Sequence, residues 1–305
     1  MLEEKQLNLA FYPKGLLPFH KYKEHVSTAF EEHLFEGALY ASSNNLAKIH
    51  FTISEKHKHH FDEEFKFIEE DVEKRTNTKF NISFSYQKES TDTIAVNHEN
   101  DLYRDENNQL VFRPSGHGAL IRNLNELDAD IIFIKNIDNV VVKKYKNEVA
   151  DYKMMLAGVL LETQEQAFYC LKQLDNNSSS EAELLEIIEF LSNKLNISVG
   201  NEFEKYSVEH QIKYLKDKLN RPIRVCGMVK NEGEPGGGPF WIEDENGNIS
   251  LQIVESAQVD KASKRQKDIM KNATHFNPVD LVCATKNYLG ESFDLTKFVD
   301  HKTAF

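Results

Sequence analysis

Apolar and polar residues alternate along the chain in two different patterns. Short runs rich in β-branched and aromatic residues are typical of strands. Seven such runs occur: AKIHFTI (47–53), FNISFSY (80–86), QLVF (109–112), DIIFIKN (130–136), PIRVCGMVK (222–230), ISLQIVE (249–255) and VDLVCAT (279–285). Between the early runs, segments with helical periodicity cover 21–40, 55–75 and 117–127. Strands that alternate with helices indicate a mainly parallel sheet covered by helices on both faces.

The stretch from 143 to 219 has a different pattern, with few clusters of β-branched residues. Apolar residues recur there at three- and four-residue steps, beginning Tyr152, Met155, Leu156, Val159, which is typical of one helix face. The polar run NNSSSE (176–181) ends this helix and offers a cap for the next. We therefore predict an α/β domain formed by 1–142 and 220–305, interrupted by a helical insertion at 143–219.

The run FIKNIDN (133–139) ends in a carboxylate between amides. The apolar character of DIIFI (130–134) predicts a strand at the centre of the sheet. In open α/β sheets, ligands bind beyond the carboxyl ends of the strands, and a carboxylate such as Asp138 there suits a divalent cation. The alternative is that Asp138 and Asn139 cap a following helix, and the pattern by itself favours that cap.

Two glycine-rich stretches could bring backbone amides close to a ligand. In RPSGHGALIRNL (113–124), the segment Gly116-His117-Gly118 forms a tight loop that enters a helix. In VKNEGEPGGGPFWIEDENGNISLQIVES (229–256), a triple glycine follows a strand that ends in Lys230. Beyond it, Asn246-Gly247 predicts a hairpin turn. Each stretch could equally be an ordinary loop.

Composition and charge narrow the class of protein. The chain has 305 residues, a formal net charge of −12 and a pI near 5.5, which argues against a nucleic-acid-binding surface. It has no apolar run approaching the roughly 18 residues that span a bilayer, and no signal peptide pattern at its start. The three cysteines, Cys170, Cys226 and Cys283, are predicted to be reduced core thiols. We expect a cytoplasmic protein that binds neither nucleic acid nor membrane.

Seven pieces in collinear order resemble the UDP-sugar pyrophosphorylases, which are nucleotidyltransferases. The chain also resembles, more closely, an uncharacterised bacterial family of unknown function that is distantly similar to those enzymes. The pieces are YPKGLLPFHKY (12–22), FSYQ (84–87), RPSGHGALIRNL, FIKNIDN, the Lys230–Gly238 loop, QIVESAQV (252–259) and THFNPVDL (274–281). The resemblance implies a three-layer α/β fold, a Rossmann-like sheet of the GT-A type. The helical insertion predicted at 143–219 has no counterpart in it.

The resemblance assigns nucleotide contacts by position. Lys14 matches the lysine that contacts the phosphates during transfer. Gln87 and the loop of Gly116, His117 and Gly118 match the groups that read the edge of the uracil base. Asp138 matches the carboxylate that holds Mg²⁺ against the phosphates, so the resemblance favours a metal ligand over a cap.

The remaining assignments concern the sugar and the phosphates. The glycines Gly236, Gly237 and Gly238 fall at a sugar-phosphate contact. Glu255 falls where those enzymes hold sugar hydroxyls, and Asn277 lies at a similar strand end. Lys230 is expected to provide a second phosphate contact.

The implied reaction joins a sugar 1-phosphate to a nucleoside triphosphate and releases pyrophosphate. Its nucleophile is already ionised, so positioning and charge neutralisation by Mg²⁺, Lys14 and Lys230 would suffice. Those enzymes carry a glycine-rich loop with an arginine before the Pro-Lys motif, but MLEEKQLNLAFY (1–12) contains neither residue. We expect a fragment without that loop, which binds a nucleotide sugar weakly and shows no pyrophosphate exchange.

Other readings stay open. The chain could be a glycosyltransferase that uses a nucleotide sugar, or a nucleotide-binding module without catalysis. Asp128-Ala129-Asp130 imitates the Asp-x-Asp of metal-dependent glycosyltransferases, but it begins a strand instead of ending one. His57, His59 and His60 could bind a transition metal, although the interleaved lysines favour a solvated helix face.

Overall fold

The computed structural model describes residues 11–176, 179–200, 202–233, 236–244 and 247–300, with only the backbone of His117. The described residues form two compact units. Unit 1 takes in the described parts of Met1–Leu127 and Val140–Tyr152, and unit 2 those of Asp128–Asn139 and Lys153–Phe305. Both units mix helices with small sheets, so the chain is a mixed α/β protein.

Seven α-helices lie within the described ranges. They are α1 (Ala29–Tyr40), α2 (Lys58–Thr76), α3 (Ile121–Leu124), α4 (Lys146–Asp175), α5 (Glu181–Asn193), α6 (Val208–Leu219) and α7 (Lys264–Lys271). The helix α4 starts in unit 1 and belongs to unit 2 from Lys153 onward. Across the described part of the chain, no helix combines the length and the apolar character needed to cross a bilayer.

The strands are short and fall into sheets of two or three. Unit 1 contains β1 (Pro18–Lys21), β2 (Val26–Thr28), β3 (Ser42–Ser43), β4 (Leu46–Ile53), β5 (Lys79–Tyr86), β6 (Thr93–Ile94) and β7 (Phe112–Arg113). Unit 2 contains β8 (Ile131–Lys135), β9 (Ile197–Ser198), β10 (Ile223–Cys226), β11 (Val229–Lys230), β12 (Gly238–Glu243), β13 (Ile249–Val254), β14 (His275–Phe276) and β15 (Asp280–Ala284).

Unit 1 is built around a β–α–β element. The strands β4 and β5 pair in parallel over their whole lengths, α2 connects them, and β3 adds an antiparallel edge. Side chains of α1, α2, β4 and β5 form an aromatic core of Phe30, Phe51, Phe61 and Phe84, in which contacting rings have centroids 4.9–6.4 Å apart. Phe30 and Phe61 are almost fully buried, so this cluster supplies much of the apolar burial of the unit.

Buried charge anchors α1 within unit 1. The carboxylate of Glu32, 1% exposed, pairs with the buried ammonium of Lys146 and accepts a hydrogen bond from the Tyr22 hydroxyl at 2.7 Å. The Lys146 ammonium also donates to the Glu32 carbonyl at 3.0 Å. Burial would raise the pKa of Glu32, but Lys146, Tyr22 and His20 together lower it below its usual value. A buried pair of this kind is costly to break from one side.

Unit 2 combines a three-stranded sheet with a helical core. The strand β15 lies in the middle and pairs antiparallel with both β10 and β8. Leu160 of α4 packs on this sheet against Val282 and Ala284. Farther along, α4, α5 and α6 share a second apolar core, which also contacts Ile223 of β10 and so joins the helices to the sheet.

A second small sheet of unit 2 contains a hairpin. The strands β12 and β13 pair antiparallel, as the sequence predicts, and β9 pairs with the other side of β13. Gly247 adopts a φ of +75°, which glycine tolerates without strain. Asn246, the other residue of the predicted turn, lies outside the described residues.

The predicted sheet arrangement is wrong for the described residues. The strand β8 lies at an edge of its sheet and is antiparallel to its neighbour, and among the described strands only β4 and β5 are parallel. An apolar run reports that the two faces of a strand are covered, and it carries no information about neighbours in the sheet plane. The helix predicted for 21–40 begins only at Ala29, because β1 and β2 form a hairpin before it.

The buried ion pair of unit 1 gives a test of stability. We expect Glu32→Gln to lower the free energy of unfolding by about 3 kcal/mol at pH 7, because it leaves the Lys146 ammonium buried without its counter-charge. Adding Lys146→Met should recover part of the loss. The exposed control Glu63→Gln should change it by less than about 0.5 kcal/mol. Urea denaturation measures all four proteins.

The same pair predicts a pH dependence. The folded-state pKa of Glu32 lies below its unfolded value, so its contribution is complete above about pH 4.3 and is lost as the pH falls through the folded-state pKa. The stability difference between wild type and Glu32→Gln should therefore shrink on acidification. A difference that is constant from pH 7 to pH 3 would contradict this assignment.

Candidate functional site

One edge of unit 1 gathers the carboxyl ends of its parallel strands. Because β4 and β5 run in the same direction, both end at this edge, and α2 begins there after β4. This is where α/β sheets present their ligand-binding loops. The candidate residues Gln87 and Lys14 lie in segments that reach this edge.

Gln87 follows β5 directly, and its side-chain amide donates a hydrogen bond to the carbonyl of Ser115 at 3.2 Å. The buried amide of Asn123 holds the same strand end, since it donates to the Tyr86 carbonyl at 2.8 Å and meets Ser85 Oγ at 3.0 Å. Two motifs that lie 28 residues apart in the sequence are thereby joined. The role of Asn123 carries no sequence signal beyond its place in the motif.

The loop after Ser115 leaves its backbone open. Gly116 and Gly118 are exposed, and a Cβ built on either would meet no described atom within 4 Å. A ligand could therefore approach this backbone closely. The side chain of His117, the third predicted residue of the loop, lies outside what the structure describes.

Lys14 is exposed on a short 3₁₀ turn, Lys14–Leu16, whose Leu16 N–H donates to the Pro13 carbonyl at 3.0 Å. The preceding Tyr12 ring lies 5.2 Å from the ring of His60, in the first turn of α2. The lysine segment therefore lies beside the N-terminus of α2, which favours anions.

In unit 2, Asp138 lies exposed in a turn after β8. The Asn139 N–H closes this turn onto the Asn136 carbonyl at 3.1 Å, and the Asn139 side-chain amide donates to the Pro278 carbonyl at 2.9 Å. The helix-cap alternative is wrong, because the next helical turn begins at Lys143 with Val142 before it. Asp138 thus follows the carboxyl end of a strand without capping a helix.

Asn277 is the most heavily bonded of the predicted residues. It is 6% exposed, and its side chain donates to the Gly227 carbonyl at 2.7 Å and accepts from the Val279 N–H at 3.0 Å. Its backbone N–H donates to the Gly237 carbonyl at 2.8 Å. These bonds commit its amide to the fold and connect the end of β10, the triple glycine and the start of β15.

The three glycines face two sides alternately. A Cβ on Gly237 would lie 2.9 Å from a carboxylate oxygen of Glu255, whereas one on Gly238 would lie 3.1 Å from the Phe240 ring. Gly237 therefore permits the close approach of Glu255. On the other side, Gly236 and Gly238 line a cavity of about 250 Å³. Its other described lining residues are Asn231, Phe240, Ser256, Met270, Ala273, His275 and Phe276.

Lys230 lies exposed on β11 and is paired with His275 of β14. His275 lies two residues before Asn277 in the sequence. The residues Asp138, Lys230, Gly237, Glu255 and Asn277 are thus linked through one edge of unit 2. Lys14, Gln87, Gly116 and Gly118 belong to unit 1.

Sequence reasoning missed a buried ion pair and a strained residue at this edge of unit 2. The ammonium of Lys153, 1% exposed, pairs with Asp280 at the start of β15. Val279 adopts a φ of +54°, which a β-branched residue rarely does and which costs roughly 1–2 kcal/mol. Neither feature could be read from the sequence, since both depend on tertiary neighbours.

The other candidate ligands have other partners. Lys286 pairs with Asp130 at 2.9 Å and with Asp128 at 3.2 Å. The two carboxylates of the Asp128-Ala129-Asp130 segment therefore form surface ion pairs. Within the described ranges, no group of three or more His, Cys, Asp or Glu side chains is arranged to hold a metal ion. The three cysteines are free thiols, as predicted.

Comparison with known families identifies the chain's family. A family model described as "Domain of unknown function (DUF4301)" matches residues 1–305, and the chain therefore belongs to that family. Comparisons with curated proteins and with solved structures gave no match.

The bonding of Asn277 predicts a structural cost for its removal. We expect Asn277→Ala to lower the free energy of unfolding by about 2–3 kcal/mol, because the Gly227 carbonyl and the Val279 N–H lose a buried partner. Asn176→Ala, at an exposed position of unit 2, should change it by less than about 0.5 kcal/mol. Urea denaturation of the two variants decides this, and equal small effects would show that water replaces the side chain.

Proposed function

We propose that the chain is a nucleotidyltransferase-like protein that binds a nucleotide sugar, with a GT-A-like relationship to the UDP-sugar pyrophosphorylases. The observation that carries the proposal is the bond from Gln87 to the Ser115 carbonyl. It joins two motifs of the resemblance at the carboxyl ends of the parallel strands. The reaction would form one bond between a sugar-phosphate oxygen and the α-phosphorus and break the bond to the departing pyrophosphate.

The base would be read by Gln87 and the backbone of the Gly116–Gly118 loop. Uracil presents carbonyl acceptors and an N–H donor along one edge, and a side-chain amide together with backbone amides can complement such an edge. The open space around Gly116 and Gly118 supports this role. Lys14, exposed beside the N-terminus of α2, would meet phosphate oxygens.

Asp138 would hold Mg²⁺. This ion usually binds through one or two carboxylates plus the phosphates of a ligand, so a single exposed carboxylate at a strand end fits such a site. Mg²⁺ would neutralise phosphate charge when bound. Since the described residues form no group of three or more ligands, we expect Mg²⁺ to bind appreciably only together with the nucleotide sugar.

The sugar phosphate would lie near Lys230 and the glycines 236–238. Glu255 is half-buried against Gly237, and a half-buried carboxylate is a suitable acceptor for sugar hydroxyls. The neighbouring cavity combines the aromatic side chains of Phe240 and Phe276 with polar groups, which suits a neutral ring.

A base-discrimination experiment tests the proposal. UDP-glucose should bind more tightly than ADP-glucose in isothermal titration calorimetry, and Gln87→Ala should weaken UDP-glucose about tenfold while changing ADP-glucose little. Gln109→Ala, at an exposed position of the same unit, should leave both affinities unchanged. If ADP-glucose binds more tightly and Gln87→Ala has no effect, the base assignment fails.

A metal experiment tests Asp138. With Mg²⁺, UDP-glucose should bind wild type about tenfold more tightly than it does in EDTA, and Asp138→Asn should remove that gain without lowering stability appreciably. Asp217→Asn, an exposed control on α6, should keep the gain. A gain that survives in Asp138→Asn would assign Mg²⁺ to other residues.

A further inference from the structure

The turn between β14 and β15 holds its backbone in an unusual conformation. Among the described non-glycine residues with positive φ, six are asparagines, which tolerate this region, and the seventh is Val279. Strain of this kind persists only where the surroundings over-determine it, and it clusters at functional sites.

Three sets of contacts hold the turn in place. The buried Asn277 side chain accepts from the Val279 N–H and donates to the Gly227 carbonyl. The Gly227 N–H donates to the Asp280 carbonyl at 2.7 Å. The Asp280 carboxylate pairs with the buried Lys153. Both ends of the turn are therefore fixed, and the conformation of Val279 between them is imposed.

The strained conformation sets the direction of one hydrogen-bond acceptor, the carbonyl of Pro278. The Pro278 carbonyl belongs to the same rigid peptide plane as the Val279 N–H, so the φ of Val279 sets its direction relative to β15. That carbonyl accepts the hydrogen bond from the Asn139 amide at 2.9 Å. Asn139 adjoins Asp138, and its own N–H closes the turn that contains Asp138.

We propose that Asn139 is a positioning residue for Asp138. The strained turn presents the Pro278 carbonyl to Asn139, and this bond fixes the direction in which the Asp138 carboxylate meets a metal–phosphate ligand. The proposal rests on the proposed function, because it needs Asp138 to act toward Mg²⁺ and a nucleotide sugar. It adds that the orientation of this carboxylate is set from β15 and not by the β8 turn alone.

The experiment measures UDP-glucose binding with Mg²⁺ and with EDTA in four versions of the 305-residue chain: wild type, Asn139→Ala, Val279→Gly and Val279→Ala. Asn139→Ala removes the donor. Val279→Gly removes the side chain that makes positive φ costly and keeps every contact that holds the turn, so it should not redirect the Pro278 carbonyl. Val279→Ala is the matched control for loss of the valyl side chain, because alanine keeps the Cβ that makes positive φ costly. Urea denaturation accompanies each titration.

We expect Asn139→Ala to reduce the Mg²⁺-dependent gain in affinity about fivefold or more, with affinity in EDTA unchanged. Val279→Gly and Val279→Ala should both keep most of the gain, because the hydrogen bonds of the turn remain in both. Val279→Gly should unfold at a urea concentration no lower than Val279→Ala does, since the strain is relieved. A merely structural role would change the unfolding midpoints and leave the ratio of the two affinities as in wild type.

The outcomes separate this inference from the function beneath it. If wild type gains affinity with Mg²⁺ and Asp138→Asn loses that gain, while Asn139→Ala retains it, the positioning role is wrong and the proposed function stands. If wild type shows no Mg²⁺-dependent gain, both are overturned.

Discussion

The edge of the β10–β15–β8 sheet depends on one buried side chain, that of Asn277. A buried backbone group without a partner is costly, and three segments present such groups at this edge. The side chain and the N–H of Asn277 meet groups of Gly227, Gly237 and Val279 together. Asn277 therefore fixes the backbone at three places: the end of β10, the triple glycine and the start of β15.

The two units use different means to hold their segments. In unit 1, buried carboxylates of α1 bind Lys146, Tyr22 and the Val141 N–H, so charge fixes the segment that follows residue 139. In unit 2, neutral amides fix the loops. Among the described residues of this unit there is one buried ion pair, between Lys153 and Asp280 at the start of β15. Neutral amides tolerate a change of charge nearby better than a buried ion pair does, which suits loops proposed to meet an anionic ligand.

Local pattern predicted local structure well. The runs 47–53, 80–86, 249–255 and 279–285 are strands, and the segment 55–75 is a helix within a few residues, because amphipathic periodicity reports which faces are covered. The pairing of strands was not accessible, since the apolar run of 130–136 fits an edge strand and a central strand equally. Gln87 and the 113–124 motif were expected together, and Gln87 is hydrogen-bonded to Ser115 of that motif.

What the sequence could not supply were the residues whose role is geometric. Nothing in the sequence distinguishes Asn277, which is buried and hydrogen-bonded within the fold, from an exposed asparagine that could contact a sugar. The conformation of Val279 runs against the preference of its side chain and exists only because its neighbours impose it. Local propensity fails at such positions because tertiary contacts outweigh it.

The two thiols on β10 and β15 make this sheet a reporter of its own opening. Cys226 lies opposite Leu281, so Cys283, two residues farther along β15, is its diagonal neighbour on the same face. Burial raises the pKa of Cys283 to about 12, so little of this thiol is ionised near neutral pH. Alkylation of this cysteine is therefore expected to be slow in the folded protein and faster in molecules whose sheet has opened locally. The rate of thiol modification therefore reports that local opening. A compound that binds the edge held by Asn277 should lower this rate as its occupancy rises.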